Sequence, residues 1–387
     1  MQTRKLGPRL VATGGALLLL AAAGARAEGL PNLAPDIRPE ALKDFRQRMP
    51  FKTIDAPKLV AAAEAGFLQD TDYVLGITLG GESRAYPTRF IWWHHGVNDR
   101  IGDVPYAVTY CNVCNTGIGY DLRLEKKERP LDFYGLYNGV VALMDRSSGS
   151  VFLQAEGRYV SGELQGARLK HLPVLDTTWG QWKKLHPDTR VMSPDTPFKE
   201  SYTPQGRTPA RGNERLSAMF IQTITRGDLR LTPFEKVLGV TLPAAGEGGK
   251  ASYRAYPLKA VIDAGNVVND TAGEEAVVVF VEPSTKTAVA ASRRLEDRTL
   301  TFEAKPGPGG EPQFFDKETG SRWNIEGRAE AGPLAGKQLT SLAGNLSQWY
   351  GWSAYFPETS IYGRTDAPQP GDPFAAERGA AAPQKAQ

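Results

Sequence analysis

The chain holds two cysteines, Cys111 and Cys114, in a Cys-x-x-Cys spacing. Thiols so placed suit three chemistries: exchange with another disulfide, a structural cross-link, or soft-metal ligation as thiolates. In a thioredoxin-like motif the first thiol sits at a helix N-terminus, whose dipole favours the thiolate. Here the motif runs into Asn115-Thr116-Gly117-Ile118-Gly119-Tyr120. Two glycines and β-branched residues make a poor first helical turn. The pattern predicts strand, tight turn, strand, with Asn115 left-handed. Such a knuckle points both sulfurs one way and offers backbone N–H groups to a thiolate.

Two thiolates are too few for a closed structural zinc site, which takes four ligands. His94 lies 17 residues upstream and is the imidazole chosen here; His95 points elsewhere if the segment is helical. The expected metal set is therefore His94, Cys111 and Cys114, with the Met144 thioether as a weak fourth donor. Soft donors in small number favour copper, with zinc second. Asp145 and Glu156 are oxygen donors without spacing support. His171 and His186 read as structural.

The elements that must position these residues repeat. Val74-Leu75-Gly76-Ile77-Thr78-Leu79 recurs as Val237-Leu238-Gly239-Val240-Thr241-Leu242, and Arg84-Ala85-Tyr86-Pro87 recurs unchanged as Arg254-Ala255-Tyr256-Pro257. Val97-Asn98-Asp99 returns as Val268-Asn269-Asp270, Asp145 as Asp316, and Trp179 and Trp182 as Trp349 and Trp352. From the second element onward the offset stays at 170–171 residues. This reads as tandem duplication of a β-rich unit of about 120 residues, an ordinary domain size. The copies differ at the chemistry: Cys111 and Cys114 align with Glu282 and Thr285, and the histidine pair falls in Val261–Gly265, which has none.

Within each unit, Tyr73–Leu79 and Arg84–Tyr86 around Gly80-Gly81 predict a hairpin. Short helices are expected over 88–96, 258–265, 178–185 and 347–355, with Val97-Asn98-Asp99 as a turn. Trp179 and Trp182, at i and i+3, form one inward helix face. The fold class is mainly β with short helices. The expected organisation is a signal peptide (1–27), a lead-in (28–72), a first repeat carrying the site (73–192), a connector (193–232), a second, degenerate repeat (233–362) and a disordered tail (363–387).

The 387 residues carry a formal charge of +3. Arg4, Lys5, Arg9 and Arg26 supply four positive charges to a leader with no acid, leaving −1 on the remainder. That near-neutral balance gives no electrostatic case for nucleic acid. The positive n-region, an apolar run from Leu10 to Ala23 and Ala25-Arg26-Ala27 predict a secretory signal cleaved after Ala27. The expected location is periplasmic or secreted, without stable membrane insertion. Phosphate-binding loops, dinucleotide fingerprints and serine-nucleophile elbows do not occur.

Together, Arg84-Ala85-Tyr86-Pro87, Trp93-His94, Val97-Asn98-Asp99, Thr109-Tyr110-Cys111 with Cys114, Leu136-Tyr137-Asn138 and the block from Asp316 to Trp323 resemble the DUF3179 family, a bacterial and archaeal group of unknown function, over about 74–362. The resemblance implies a histidine at position 94 and a methionine at 144. The family's usual Pro and Gly after the two cysteines are replaced here by Asn112 and Asn115. No enzymatic activity follows from it. The expectation is an exported protein that binds or transfers copper, or zinc, with another envelope protein as metal or thiol partner. The alternatives are a thiol–disulfide oxidoreductase using Cys111 and Cys114, and a non-catalytic interaction module held by their disulfide.

Overall fold

The computed structural model describes residues 30–49, 51–202, 215–242 and 251–380. The expected leader lies outside these residues, as do parts of the connector and second repeat and the end of the tail. The fold is mainly β with short helices.

The two halves follow the same order of elements. The first runs β1 (Tyr73–Leu79), β2 (Glu82–Pro87), α1 (Thr88–Ile91), β3 (Gly96–Ile101), β4 (Val104–Cys111), β5 (Thr116–Asp121), β6 (Leu131–Tyr137), β7 (Val140–Asp145), β8 (Val151–Leu153), β9 (Leu175–Thr178), α2 (Trp179–Leu185) and β10 (Arg190–Met192). The second runs β11 (Lys236–Leu242), β12 (Ser252–Pro257), α3 (Leu258–Asp263), β13 (Val267–Ala272), β14 (Glu275–Glu282), β15 (Thr287–Ser292), β16 (Phe302–Pro306), β17 (Pro312–Asp316), β18 (Arg322–Trp323), β19 (Ala343–Gln348), α4 (Trp349–Ser353) and β20 (Ser360–Ile361). Sheet order matches too. β9-β1-β2-β10 corresponds to β19-β11-β12-β20, each with a parallel last pair, and β3-β4-β5 to β13-β14-β15. A third sheet, β6-β7-β8, corresponds to β16-β17-β18.

The recurring motifs have physical reasons. Gly80 and Gly81 take positive φ in the β1–β2 turn, as a two-residue hairpin connection requires. A Cβ on Gly76 would lie 2.2 Å from the Trp182 ring, and one on Gly239 would lie 2.1 Å from that of Trp352. Each strand thus leaves out a side chain so that an indole can lie on its backbone. Arg84 Nη1 and the Tyr86 hydroxyl meet Asp99 at 2.8 and 2.6 Å. Arg254 and Tyr256 meet Asp270 in the same way, at 2.5 and 3.0 Å.

Val97-Asn98-Asp99 is not the expected turn but lies within β3. Asn98 earns its recurrence differently. Its amide accepts from Leu131 N–H and donates to Leu131 C=O, both at 3.1 Å. Asn269 does the same with Phe302, accepting at 2.7 Å and donating at 2.8 Å. A side chain thereby serves as one rung of a backbone ladder, tying the second sheet to the third.

The lead-in supplies an edge to all three sheets of the first half: Lys43–Asp44 beside β6, Ile54–Asp55 beside β3 and Leu59–Ala61 beside β10. Part of the tail expected to be disordered is ordered. Pro370–Gly371 pairs with Gly227–Asp228 of the connector, Phe374 is buried, and Arg378 donates to the carbonyls of Ile221 and Ile224 at 2.8 Å.

The halves interlock. One core cluster joins Cys111, Cys114 and Val140 to Trp349, Tyr350 and Trp352; another joins Val74, Trp179 and Trp182 to Phe280, Phe314 and Trp323. Gly239→Ala is expected to lower stability by about 1–3 kcal/mol, the usual cost of overpacking. Urea unfolding reads it, and an unchanged midpoint would remove the indole-on-glycine account.

Candidate functional site: a buried dithiol

β4 ends on Cys111, residues 112–115 turn, and β5 begins at Thr116, which pairs with Cys111 across the hairpin. Asn115 is left-handed, at φ 53°, and its side-chain oxygen accepts from the Tyr110 hydroxyl at 3.1 Å. This is the knuckle expected from the sequence.

Both thiols are free and fully buried. Burial by itself would raise the Cys111 thiol. It is outweighed by hydrogen bonds from the Cys114 side chain and from the N–H groups of Cys114, Val141 and Val113, and the balance lies below an ordinary thiol. Cys114 moves the other way, well upward, first through burial and then through the Cys111 thiolate beside it. Its Sγ lies 3.2 Å from Thr116 Oγ1, whose hydroxyl is placed to donate to it. One sulfur is thus prepared to ionise while its neighbour keeps a proton.

The cover comes from the other half of the chain. Gln348 N–H donates to the Cys114 carbonyl at 3.1 Å. Gly351 lies against the loop so closely that a Cβ there would sit 3.1 Å from that of Cys114. Tyr350 is buried nearby, and burial, followed by the charge each sulfur carries when ionised, raises its phenol well above its usual range. Its hydroxyl therefore keeps its proton, and it has no hydrogen-bond partner among the described residues.

The histidines go elsewhere. His94 Nδ1 lies 2.6 Å from the Lys52 carbonyl and Nε2 lies 2.9 Å from the Tyr202 hydroxyl. A carbonyl only accepts, so the network assigns the proton to Nδ1 and leaves the Nε2 lone pair to the Tyr202 O–H. Burial lowers its pKa. His95, left-handed at φ 57°, is bonded through Nδ1 to the Tyr110 carbonyl at 3.1 Å and stacks on Phe133. Met144 Sδ accepts from Arg46 at 3.2 Å. It is three residues beyond Val141 on β7, about 10 Å at the usual strand rise.

The structure brings Cys111 and Cys114 together and takes His94 and Met144 away from them. Among the described residues, no three His, Cys, Asp or Glu side chains form a group able to hold a metal ion. His94, Cys111 and Cys114 are thus not grouped in this arrangement, and both nitrogens of the imidazole have protein partners. His186 Nδ1 lies 3.0 Å from Ser83 Oγ and its Nε2 lies 2.9 Å from Glu326.

Sequence reasoning missed Gln348, Tyr350 and Gly351. One signal was available: glycine stands at 351, where the matching position of the first half is Gln181, so the helix facing the thiols carries no side chain at that point.

Architecture and site define a mainly β protein of interlocked halves that encloses a buried Cys-x-x-Cys hairpin. The chain matches the family model described as a protein of unknown function (DUF3179) over residues 49–359, and it belongs to that family. No curated protein matches it, and no solved structure does.

Thiolate absorbance is expected to rise in two separated steps, the first below an ordinary thiol and the second well above. Cys114→Ala should move the Cys111 step upward by removing a donor; coincident titration at an ordinary value would contradict the hydrogen-bond account. His95 carries a second expectation. Burial pushes it down from 6.5 to about 4, so the unfolded chain binds its proton first. Stability should fall as pH drops from about 6.5 towards 4. His95→Asn, compatible with left-handed φ, should flatten that slope in urea midpoints taken across pH; an unchanged slope would refute it.

Proposed function

We propose that the chain is an exported dithiol–disulfide protein, with Cys111 as the attacking thiolate and Cys114 as the resolving thiol. The observation that carries this reading is geometric: two free, buried thiols stand at one hairpin end, with the N–H groups of Val113, Cys114 and Val141 bonded to Cys111. The leader pattern over 1–27 supports export to the periplasm or beyond. Among the described residues no helix is long and apolar enough to cross a membrane.

The oxidant is a disulfide, either of a small molecule or of an envelope protein. Cys111 thiolate attacks one of its sulfurs, forming a mixed disulfide and expelling one thiolate. Cys114 then loses its proton and attacks Cys111 Sγ, which forms the Cys111–Cys114 bond and expels the second thiolate. Two electrons pass to the incoming disulfide, and the protein's two thiol protons end on the two released thiols or in solvent. Because α4 covers the loop, a bulky partner reacts only after Gly351 and Gln348 have moved off it.

The test equilibrates the mature protein with defined ratios of reduced and oxidised glutathione, followed by alkylation and mass measurement. A reversible two-electron transition to an intramolecular disulfide, absent in Cys111→Ser, is expected. Copper or zinc retained stoichiometrically by the reduced protein and lost in Cys111→Ser would support the metal-binding reading instead. A disulfide that forms but cannot be reduced at any glutathione ratio, and whose loss only lowers stability, would leave a structural cross-link.

A further inference from the structure

The two halves are packed differently beside the strand that follows each hairpin turn. Leu175 pairs with Gly76 as Asn345 pairs with Gly239, so Val174 and Gly344 hold matching positions. Thr116 opposes Cys111 as Thr287 opposes Glu282, which matches Gly119 with Ala290. In the first half Val174 lies so close to Gly119 that a Cβ there would meet it at 2.7 Å. In the second the branched side chain is missing. Gly344 and Ala290 both line a cavity of about 430 Å³, and a Cβ on Gly344 would have its nearest neighbour at 3.3 Å.

Residues of both halves line this cavity, and such junctions commonly hold small-molecule sites of this volume. Its walls are largely aliphatic, with Leu238, Val289 and Leu342 from the second half and Val174 from the first. Three titratable side chains reach it: His186, Glu326 and Arg328. His186 Nε2 lies 2.9 Å from Glu326 Oε2. Arg328 is held through its backbone, whose N–H donates to Asn324 Oδ1 at 3.0 Å. Its guanidinium makes no ion pair and no hydrogen bond among the described residues. The unpaired charge at this cavity is therefore positive.

We propose that the cavity binds a small aliphatic monocarboxylate, with the carboxylate on the Arg328 guanidinium and the hydrocarbon chain along the wall that Gly344 leaves bare. The planar guanidinium fork matches the two oxygens of a carboxylate. A phosphate-like dianion would call for a second cation, and no other lysine or arginine lines the cavity. An ammonium would be repelled by Arg328 and would find Glu326 already beside His186. The aliphatic walls select the rest of the ligand, since an apolar chain gains by leaving water for them.

The inference uses neither cysteine and is independent of the redox reading. The mature protein is titrated by calorimetry with hexanoate, with n-hexanol and n-hexylamine as neutral and cationic controls. Saturable binding of hexanoate is expected, about tenfold or more tighter than either control, the usual scale for a charge-assisted hydrogen bond. Arg328→Gln, at an exposed position, should remove that advantage. Gly344→Val installs the first half's own side chain at a strand position that suits it and should abolish binding by filling the space. Should Gly344→Val fail to unfold cooperatively, Arg328→Gln decides. The proposal is overturned by absence of hexanoate binding, by equal binding of either control, or by full affinity in Arg328→Gln or in a folded Gly344→Val protein.

Discussion

Two indoles lying on bare backbone set the geometry of the molecule. Trp182 on Gly76 and Trp352 on Gly239 fix where α2 and α4 sit on their sheets. Each ring buries roughly 150–250 Å², worth at most about 4–6 kcal/mol. Each indole N–H is also anchored, to Thr189 Oγ1 at 2.9 Å and to Thr359 Oγ1 at 3.1 Å. Once these helices are placed, the strands preceding them reach across to the opposite half. Thr287 Oγ1 donates to Thr177 Oγ1 at 2.7 Å on one side, while Gln348 N–H donates to the Cys114 carbonyl on the other. The cover of the dithiol follows from a packing decision made at the far end of a tryptophan.

The same hairpin end carries different side chains in the two halves. In the first, an apolar enclosure would suppress ionisation, and backbone N–H groups restore it for one sulfur only. In the second, burial also acts on a carboxyl, raising Glu282 above its usual range against the Ser284 hydrogen bonds. There the neighbouring helix presents Gln181 and Lys184 rather than glycine and tyrosine, and space is left beside the acid. Framework motifs that recur, such as Asn98 and Asn269, hold sheets together.

Much of this was legible in the sequence where the determinants are local. The glycine hairpin, the Cys-x-x-Cys knuckle with left-handed Asn115, the inward Trp179 and Trp182 and the parallel order of elements all follow from short-range pattern. The fate of His94 did not. Its partners are a carbonyl 42 residues upstream and a phenol 108 residues downstream, and no spacing rule encodes either. The cover over the thiols was hidden for the same reason, since Gly351 and Cys114 meet only because the halves interlock. The ordered part of the tail was missed because its anchors, the Pro370–Gly371 pairing, Phe374 and Arg378, lie within a Pro- and Ala-rich stretch that shows no pattern of its own and meet connector residues about 140–160 positions upstream.

The lead-in strands bear on how the chain acquires its structure. Lys43 pairs with Leu136, Ile54 with Val97 and Leu59 with Met192, so the earliest described residues find their neighbours late in the first half. Contacts of such long sequence separation give a high contact order, and closing those loops precedes the gain from pairing them. The N-terminal edges are therefore seated late in a slow search, after the sheets they complete have formed.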